Sequence, residues 1–349
     1  MLLRHRENLM TATHLFPIFV RQGRSRTRFK VGYIDHKGHV VIDPVFDEGT
    51  RFYEGLAAVG VRNRRGVINA SGDFVIQPTL STLCRFHNGI AICCNKKGKY
   101  GAIDRAGNFV VEPKYDYMGP FKEGLALFRV RERERARYGF LDESGAEVIS
   151  AVFHDAYGFS EGLAAAKVGN LWGYIAQSGV FKITPRFEGT RQGPRRPEET
   201  RAGYFANGLA PAWSGQGYGF IDTTGKFVIE GGFDEADSFH DGRALVQRQK
   251  RYGFVDLAGK LAIETRFTYA RDFSEHLAVV REKEYAVAFV PPCGFIDIEG
   301  NMVIAPAFYS AESFHDGWSL VTTEDSIGYI NELGEFVWQG PYVEYGVLC

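Results

Sequence analysis

The sequence predicts an all-β protein, an array of about nine three-stranded antiparallel meanders, on three observations. The stretch "GYIDHKGHVVIDPVF" at Gly32 returns as "GAIDRAGNFVVEPKY" at Gly101, "GFIDTTGKFVIEGGF" at Gly219 and "GFIDIEGNMVIAPAF" at Gly294. The 41 glycines and 28 phenylalanines, set against 4 methionines, suit short strands and tight turns better than a helical bundle. The spacing between units is nearly constant, which marks a repeat architecture.

Aligned on the first glycine, the units start at Gly32, Gly66, Gly101, Gly139, Gly173, Gly219, Gly253, Gly294 and Gly328, at intervals of 34, 35, 38, 34, 46, 34, 41 and 34 residues. A second glycine follows six residues later in every unit, from Gly38 to Gly334. Fourteen residues after the first glycine stand Phe46, Leu80, Tyr115, Phe153, Phe187, Phe233, Phe267 and Phe308.

Each unit contains three predicted strands. Strand A is "GYID" and strand B is "HVVID" or its equivalent; strand C is "GLAAVGV", after the crossing that follows. Between A and B lies a D-x-x-G turn, with Asp35, Asp104, Asp142, Asp222, Asp256 and Asp297, or Asn69 and Asn331, placed to bond the turn backbone. Its glycine supplies the positive φ of a type I turn closed by a bulge. Proline ends strand B at Pro44, Pro78, Pro113, Pro185 and Pro306, because it cannot donate to a ladder. A second aromatic, such as Phe52, Phe121, Phe159 or Phe273, anchors the crossing.

Taking the strands in the order C, A, B accounts for both ends of the array: "LFPIFV" from Leu15 is a first strand C, and "GYINELGEFVW" from Gly328 is a last A and B. This reading gives an N-terminal segment over 1–14, a single repeat domain over 15–338 and a C-terminal tail over 339–349.

The pattern "WGYIAQSG...ITPRF" from Trp172, with its eight relatives, resembles the WG (KWG) containing repeat family of mainly bacterial proteins, over nearly the whole chain. Trp172 alone keeps the tryptophan; the other units carry Val31, Arg65, Tyr100, Tyr138, Tyr218, Tyr252, Cys293 and Ile327 there. The resemblance implies a β-rich array in a family whose members mostly lack a defined activity, and it brings no catalytic residues. One meander is a marginal fold, so neighbours must stack. An open β-superhelix, or solenoid, is expected in preference to a closed propeller-like ring, because nine units exceed the usual four to eight blades.

Charge is balanced, with Lys+Arg 41 against Asp+Glu 42, so no global field marks a nucleic-acid or membrane binder. The apolar run "LFPIFV" is too short for a signal or a membrane span. Five cysteines, Cys84, Cys93, Cys94, Cys293 and Cys349, lack zinc-like spacing and favour a reducing cytoplasm. No catalytic, cofactor or metal residues are expected: "FHDG" at Phe239 and Phe314 varies to "FSEG" in register, and D-x-x-G offers one carboxylate per unit where calcium takes six to eight oxygens. No P-loop, dinucleotide fingerprint or nucleophile elbow occurs.

Insertions depart from the template at Arg21 to Lys30, Arg129 to Arg137, Gly189 to Tyr204 and Arg281 to Pro292. The first, second and fourth lie between strands C and A, on one edge of a regular array. The candidate partner-binding residues are Arg24, Arg26 and Arg28 in the first, Arg129, Arg131, Arg133, Arg135 and Arg137 in the second, and Arg191, Arg195, Arg196 and Arg201 in the long loop. The expected function is a non-catalytic scaffold or adaptor binding another protein through these arginines, within a larger assembly. A nucleic-acid-binding subunit using the same clusters is the alternative.

Overall fold

The computed structural model describes residues 15–23, 28–132, 135–188, 203–283 and 291–342. Nine antiparallel sheets form in chain order among them, seven of four strands and two of three. We number them blades 1 to 9, blade 1 holding Gly32 and blade 9 Gly328. Blade 1 consists of Phe16–Arg21, Phe29–Ile34 and Val40–Phe46, which are strands C, A and B. Blade 2 has C, A and B at Leu56–Val61, Arg64–Asn69 and Phe74–Leu80.

The three-stranded expectation misses one strand. In seven blades a leading strand pairs with C; it is six residues long at Thr82–His87, Tyr117–Lys122 and Glu235–His240, and two residues long at Glu48–Gly49 and Asp155–Ala156. It occupies part of the segment read from sequence as a crossing. Blades 1 and 6 have three strands among the described residues.

Pairing explains the spacing. The residue before the first glycine faces the aromatic fourteen residues after that glycine, as in Val31↔Phe46, Trp172↔Phe187 and Tyr252↔Phe267. A Cβ on Gly173 would stand 2.4 Å from the Ile183 carbonyl oxygen, so strand B lies too close for any side chain there. In the A–B turn, Asp35 Oδ1 accepts the backbone N–H groups of Lys37 and His39 at 2.8 and 2.9 Å, and the other turn aspartates repeat this geometry. Strand C is buried along most of its length, as in the BBBBBi pattern of Leu56–Val61, whereas strand B alternates and forms the sheet's outer edge.

The chain divides into two compact units. Unit 1 comprises 1–135, 140–147 and 337–349. In it Tyr33 of blade 1 packs edge-on against Phe52 at 4.9 Å, and Tyr115 of blade 3 lies against Phe128 at 4.6 Å. Tyr115 also donates its hydroxyl to Glu147 Oε1 at 2.9 Å. Unit 2 comprises 136–139 and 148–336 and repeats the ring contact as Tyr174–Phe205 at 4.9 Å, Phe220–Phe239 at 5.1 Å and Phe295–Phe314 at 5.0 Å. Crossing aromatics such as Phe52, Phe205, Phe239 and Phe314 are thus core wedges between neighbouring blades, where tilted or edge-on rings bury large apolar areas.

The expected open β-superhelix is corrected by a contact inside unit 1. The A–B turn glycine of each blade packs on strand B of the blade before it: a Cβ on Gly72 would meet Ile42 at 3.4 Å, and one on Gly145 would meet the Val110 carbonyl oxygen at 2.9 Å. Gly38 of blade 1 has no preceding blade among the described residues, yet a Cβ there would meet the carbonyl oxygen of Val337, in strand B of blade 9, at 2.9 Å. The sheets are the blades of a nine-bladed β-propeller ring, not steps of a solenoid. The count of units exceeds the usual blade number but does not prevent closure. No helix among the described residues is long and apolar enough to cross a membrane.

Candidate functional site

The C–A hairpins, where the sequence places its basic insertions, are built by a carboxylate that follows strand B. In unit 1, Asp47 Oδ2 accepts the Arg62 backbone N–H at 2.8 Å and Asp116 Oδ2 accepts that of Arg131 at 2.7 Å. Each carboxylate also takes a lysine: Lys30 Nζ at 2.7 Å from Asp47 and Lys99 Nζ at 2.7 Å from Asp116. The lysine bond first, helped by the backbone N–H, holds both carboxyl groups below the ordinary aspartate range. In blade 2 the turn is two residues long, with Arg62 and Asn63 at φ 49° and 63°, the left-handed pair of a type I′ hairpin. In blade 3, Asn95 Oδ1 accepts the N–H groups of Lys97 and Lys99 at 2.9 and 3.1 Å and ties a longer turn.

All four C–A hairpins of unit 1 carry cations. Lys30, Lys99 and Arg65 are neutralised by Asp47, Asp116 and Glu48. Arg28, Arg62, Lys96, Lys97, Arg131 and Arg135 are exposed and make no ion pair with the described residues. The hairpins of unit 2 are mixed: Val168–Leu171 is uncharged, Arg248–Arg251 is basic, and the Thr323–Ser326 turn carries Glu324 and Asp325. Local excess of positive charge is therefore a property of unit 1, although the chain as a whole is balanced.

The predicted residues fall as follows. Arg28 and Arg135 are exposed at strand starts, and Arg131 is exposed on the blade 4 hairpin. Arg129 is half-buried, donates to the Asp116 carbonyl at 3.3 Å, and holds its guanidinium 5.8 Å from the Tyr117 ring centroid. Arg137, in unit 2, bonds the Ala136 carbonyl at 2.9 Å. Arg24, Arg26, Arg133, Arg191, Arg195, Arg196 and Arg201 lie outside the described residues. Sequence reasoning missed Arg62, Arg64, Lys96 and Lys97, because the first turn has template length, the second exceeds it by one residue, and an argument from long insertions passes over both. Reading "VRNRRG" and "NKKGKYG" in register at the C–A turn would have found them.

Among the described residues no group of three His, Cys, Asp or Glu side chains is placed to hold a metal ion. Cys93, Cys94 and Cys293 are buried and form no disulfide among the described residues, and burial pushes Cys94 and Cys293 up from the ordinary cysteine range.

The WG containing repeat family matches seven segments, 32–64, 66–100, 100–133, 138–172, 218–250, 252–285 and 294–325. No curated protein matches the chain. Among solved structures, BamB from Moraxella catarrhalis is similar at 10% identity, covering 80% of this chain and 77% of its own, with a TM-score of 0.37. Apo AztD from Citrobacter koseri is similar at 11% identity over 95% of this chain and 97% of its own, with a TM-score of 0.41. The computationally designed Ika4 protein shares 13% identity over 38% of this chain and 87% of its own, with a TM-score of 0.26.

Proposed function

For a chain that belongs to the WG containing repeat family, we propose a non-catalytic scaffold whose cationic C–A edge in unit 1 binds an acidic surface on another protein. One observation carries this reading: four consecutive hairpins present cations, and six of these, Arg28, Arg62, Lys96, Lys97, Arg131 and Arg135, are exposed and make no ion pair within 4 Å among the described residues, whereas Lys30, Lys99 and Arg65 do. Unpaired side chains at hairpin tips cost little to hold and steer an acidic partner toward the edge. Arginine adds a fork of donors that matches carboxylates.

The test is affinity capture from the native host with the wild-type chain and with R62E/K96E/K97E/R131E, each with and without nuclease. The reading expects a discrete protein partner that survives nuclease and is lost with the charge-reversed chain. Each exposed pair contributes about 0.2–1 kcal/mol, so losing four predicts a fall in affinity of between about fourfold and several hundredfold. A partner captured equally by both chains would sink it.

A nucleic-acid reading is favoured by a different feature of the same edge. Tyr100 and Tyr117 lie 5.8 Å apart beside Arg129, and Tyr117 is 38% exposed, which offers bases a ring to stack on. Binding of a labelled single-stranded 20-mer that weakens steeply with salt and is lost in Y117A supports it; salt-insensitive binding, or none, removes it.

A further inference from the structure

Blades 5 and 6 of unit 2 carry a feature of different chemistry. Tyr157 stacks on Trp172 with ring centroids 5.0 Å apart and planes 20° apart. Tyr204 crosses Tyr157 at 6.0 Å and 67°, and Trp213 meets Tyr218 at 5.4 Å and 79°. These five rings are half-buried, each keeping part of its surface in water. The Lys167 ammonium stands 5.7 Å from the Trp172 centroid.

The repeat accounts for part of this cluster and not for the rest. Trp172 and Tyr218 occupy the position before the first glycine, where the pairing with strand B favours an aromatic. Tyr157 and Tyr204 occupy positions that are otherwise small or polar. Counted back from the anchoring phenylalanine, the place of Tyr157 holds Thr50, Cys84, Gly119, Gly203, Asp237, Arg271 and Glu312 in the other units, and that of Tyr204 holds Arg51, Arg85, Pro120, Gly158, Ser238, Asp272 and Ser313, none of them aromatic. The other units pack these two places without an aromatic ring, so the blade fold itself does not call for a tyrosine at either. The departures sit side by side in neighbouring blades, with Tyr157 stacked on the template aromatic Trp172.

Ring geometry and hydrogen-bonding groups define what fits. Planes crossing at 67° and 79° leave notches between faces and edges, not one open platform. The Tyr157 hydroxyl, the indole N–H groups of Trp172 and Trp213 and the Lys167 ammonium make no hydrogen bond with the described residues. Indole and ammonium are donors only. The nearby Asp155 carboxylate is engaged by the Ala156 N–H at 3.0 Å. A site of ring notches and donors complements a chain of apolar rings and bare carbonyls, which is what polyproline II presents: it has no internal hydrogen bonds, and its prolines have no N–H. A sugar brings hydroxyl donors that call for acceptors, and a quaternary ammonium calls for a cage that Lys167 would repel.

We infer that the Tyr157–Trp172–Tyr204 cluster, with Trp213 and Tyr218, binds a proline-rich extended segment of a partner protein. This site is separate from the cationic edge of unit 1, and either can fail without the other.

The experiment titrates the intact chain with acetylated, amidated decaproline, following tryptophan fluorescence and the indole N–H resonances. Maltohexaose and tetramethylammonium form parallel arms. Saturable binding is expected with decaproline alone, nearly unchanged between about 0.05 and 0.5 M salt, moving the Trp172 and Trp213 indole signals and not those of Trp318 and Trp338. Y157T and Y204S insert residues that the repeat carries at those positions, and each is expected to weaken binding at least tenfold while thermal unfolding shows an intact fold. No binding of decaproline by the wild-type chain, movement confined to Trp318 and Trp338, saturable binding of the sugar or the ammonium instead, or unchanged binding in both folded variants would each overturn the proposal.

Discussion

Gly38 lies against Val337 so closely that a Cβ on Gly38 would stand 2.9 Å from the Val337 carbonyl oxygen, and its φ is 81°. Gly38→Ala therefore combines a backbone penalty with a steric one at the junction of the first and last blades. Gly124, at φ 80° with nothing within 4 Å of the added Cβ, isolates the backbone penalty. Gly124→Ala is expected to cost about 1 kcal/mol, and Gly38→Ala more by about 1–2 kcal/mol, read by denaturant unfolding. Equal costs would mean that the contact with Val337 contributes nothing to closure.

Carboxylates latch one blade to the next. Glu54 accepts the backbone N–H groups of Asn88 at 2.5 Å and Gly89 at 2.9 Å, and Glu275 accepts those of Asp316 and Gly317, each at 2.8 Å. Both glutamates sit at positive φ, 53° in each case. Glu275→Ala is expected to destabilise the fold by about 1–2 kcal/mol, as loss of charged hydrogen bonds to backbone N–H groups costs. Glu275→Gln, which keeps one acceptor, should lose less. Thermal unfolding of the two variants gives the comparison, and equal stability to wild type would show the latch to be idle.

Acid should loosen the cationic hairpins. Asp47 and Asp116 are more acidic in the folded chain than in the unfolded one, first because of Lys30 and Lys99 respectively. Such a group contributes stability that is fully present above its unfolded pKa near 4 and is lost as pH falls through the lower folded value. Stability is expected to fall below about pH 4 in wild type and to fall less steeply in D47N/D116N. A variant with the same slope over that range would remove these two groups from the acid transition.

Thiol chemistry should be slow. Cys293 is buried, its thiol is pushed up by burial against the smaller opposing pull of Arg281, and it donates to the Phe308 carbonyl at 3.2 Å. Thiolate is the reactive form, so alkylation of folded chain at pH 7.5 is expected to leave Cys293 unmodified, and denaturant to expose it. Rapid labelling of Cys293 in the folded protein, seen by peptide mass spectrometry, would contradict the burial.

Much of the fold is legible in single residues because the forces that write it are local. Alternation in "HVVIDPVF", the Asp35 side chain two and four residues from the N–H groups it accepts, and the positive φ of Gly38 all act within one hairpin, so nine copies of the pattern disclose strands A, B and C and their register. The leading strand escapes this reading. At Glu48–Gly49 it has two residues, too few to show a period, and it forms because strand C already offers an edge to pair with.

Closure escapes it for a different reason. Whether blade 9 reaches blade 1 depends on the rotation added at each blade-to-blade packing step, and no single unit records that sum; it is seen where Val337 fills, for Gly38, the place that Val110 fills for Gly145. The cationic edge divides in the same way. Residues such as Arg131 announce themselves by lengthening a hairpin markedly, whereas Arg62 and Lys96, on turns at or within one residue of template length, join the edge because folding sets those turns beside it. Tyr157 and Tyr204, 47 residues apart in the chain, become one aromatic site because successive blades stack side by side.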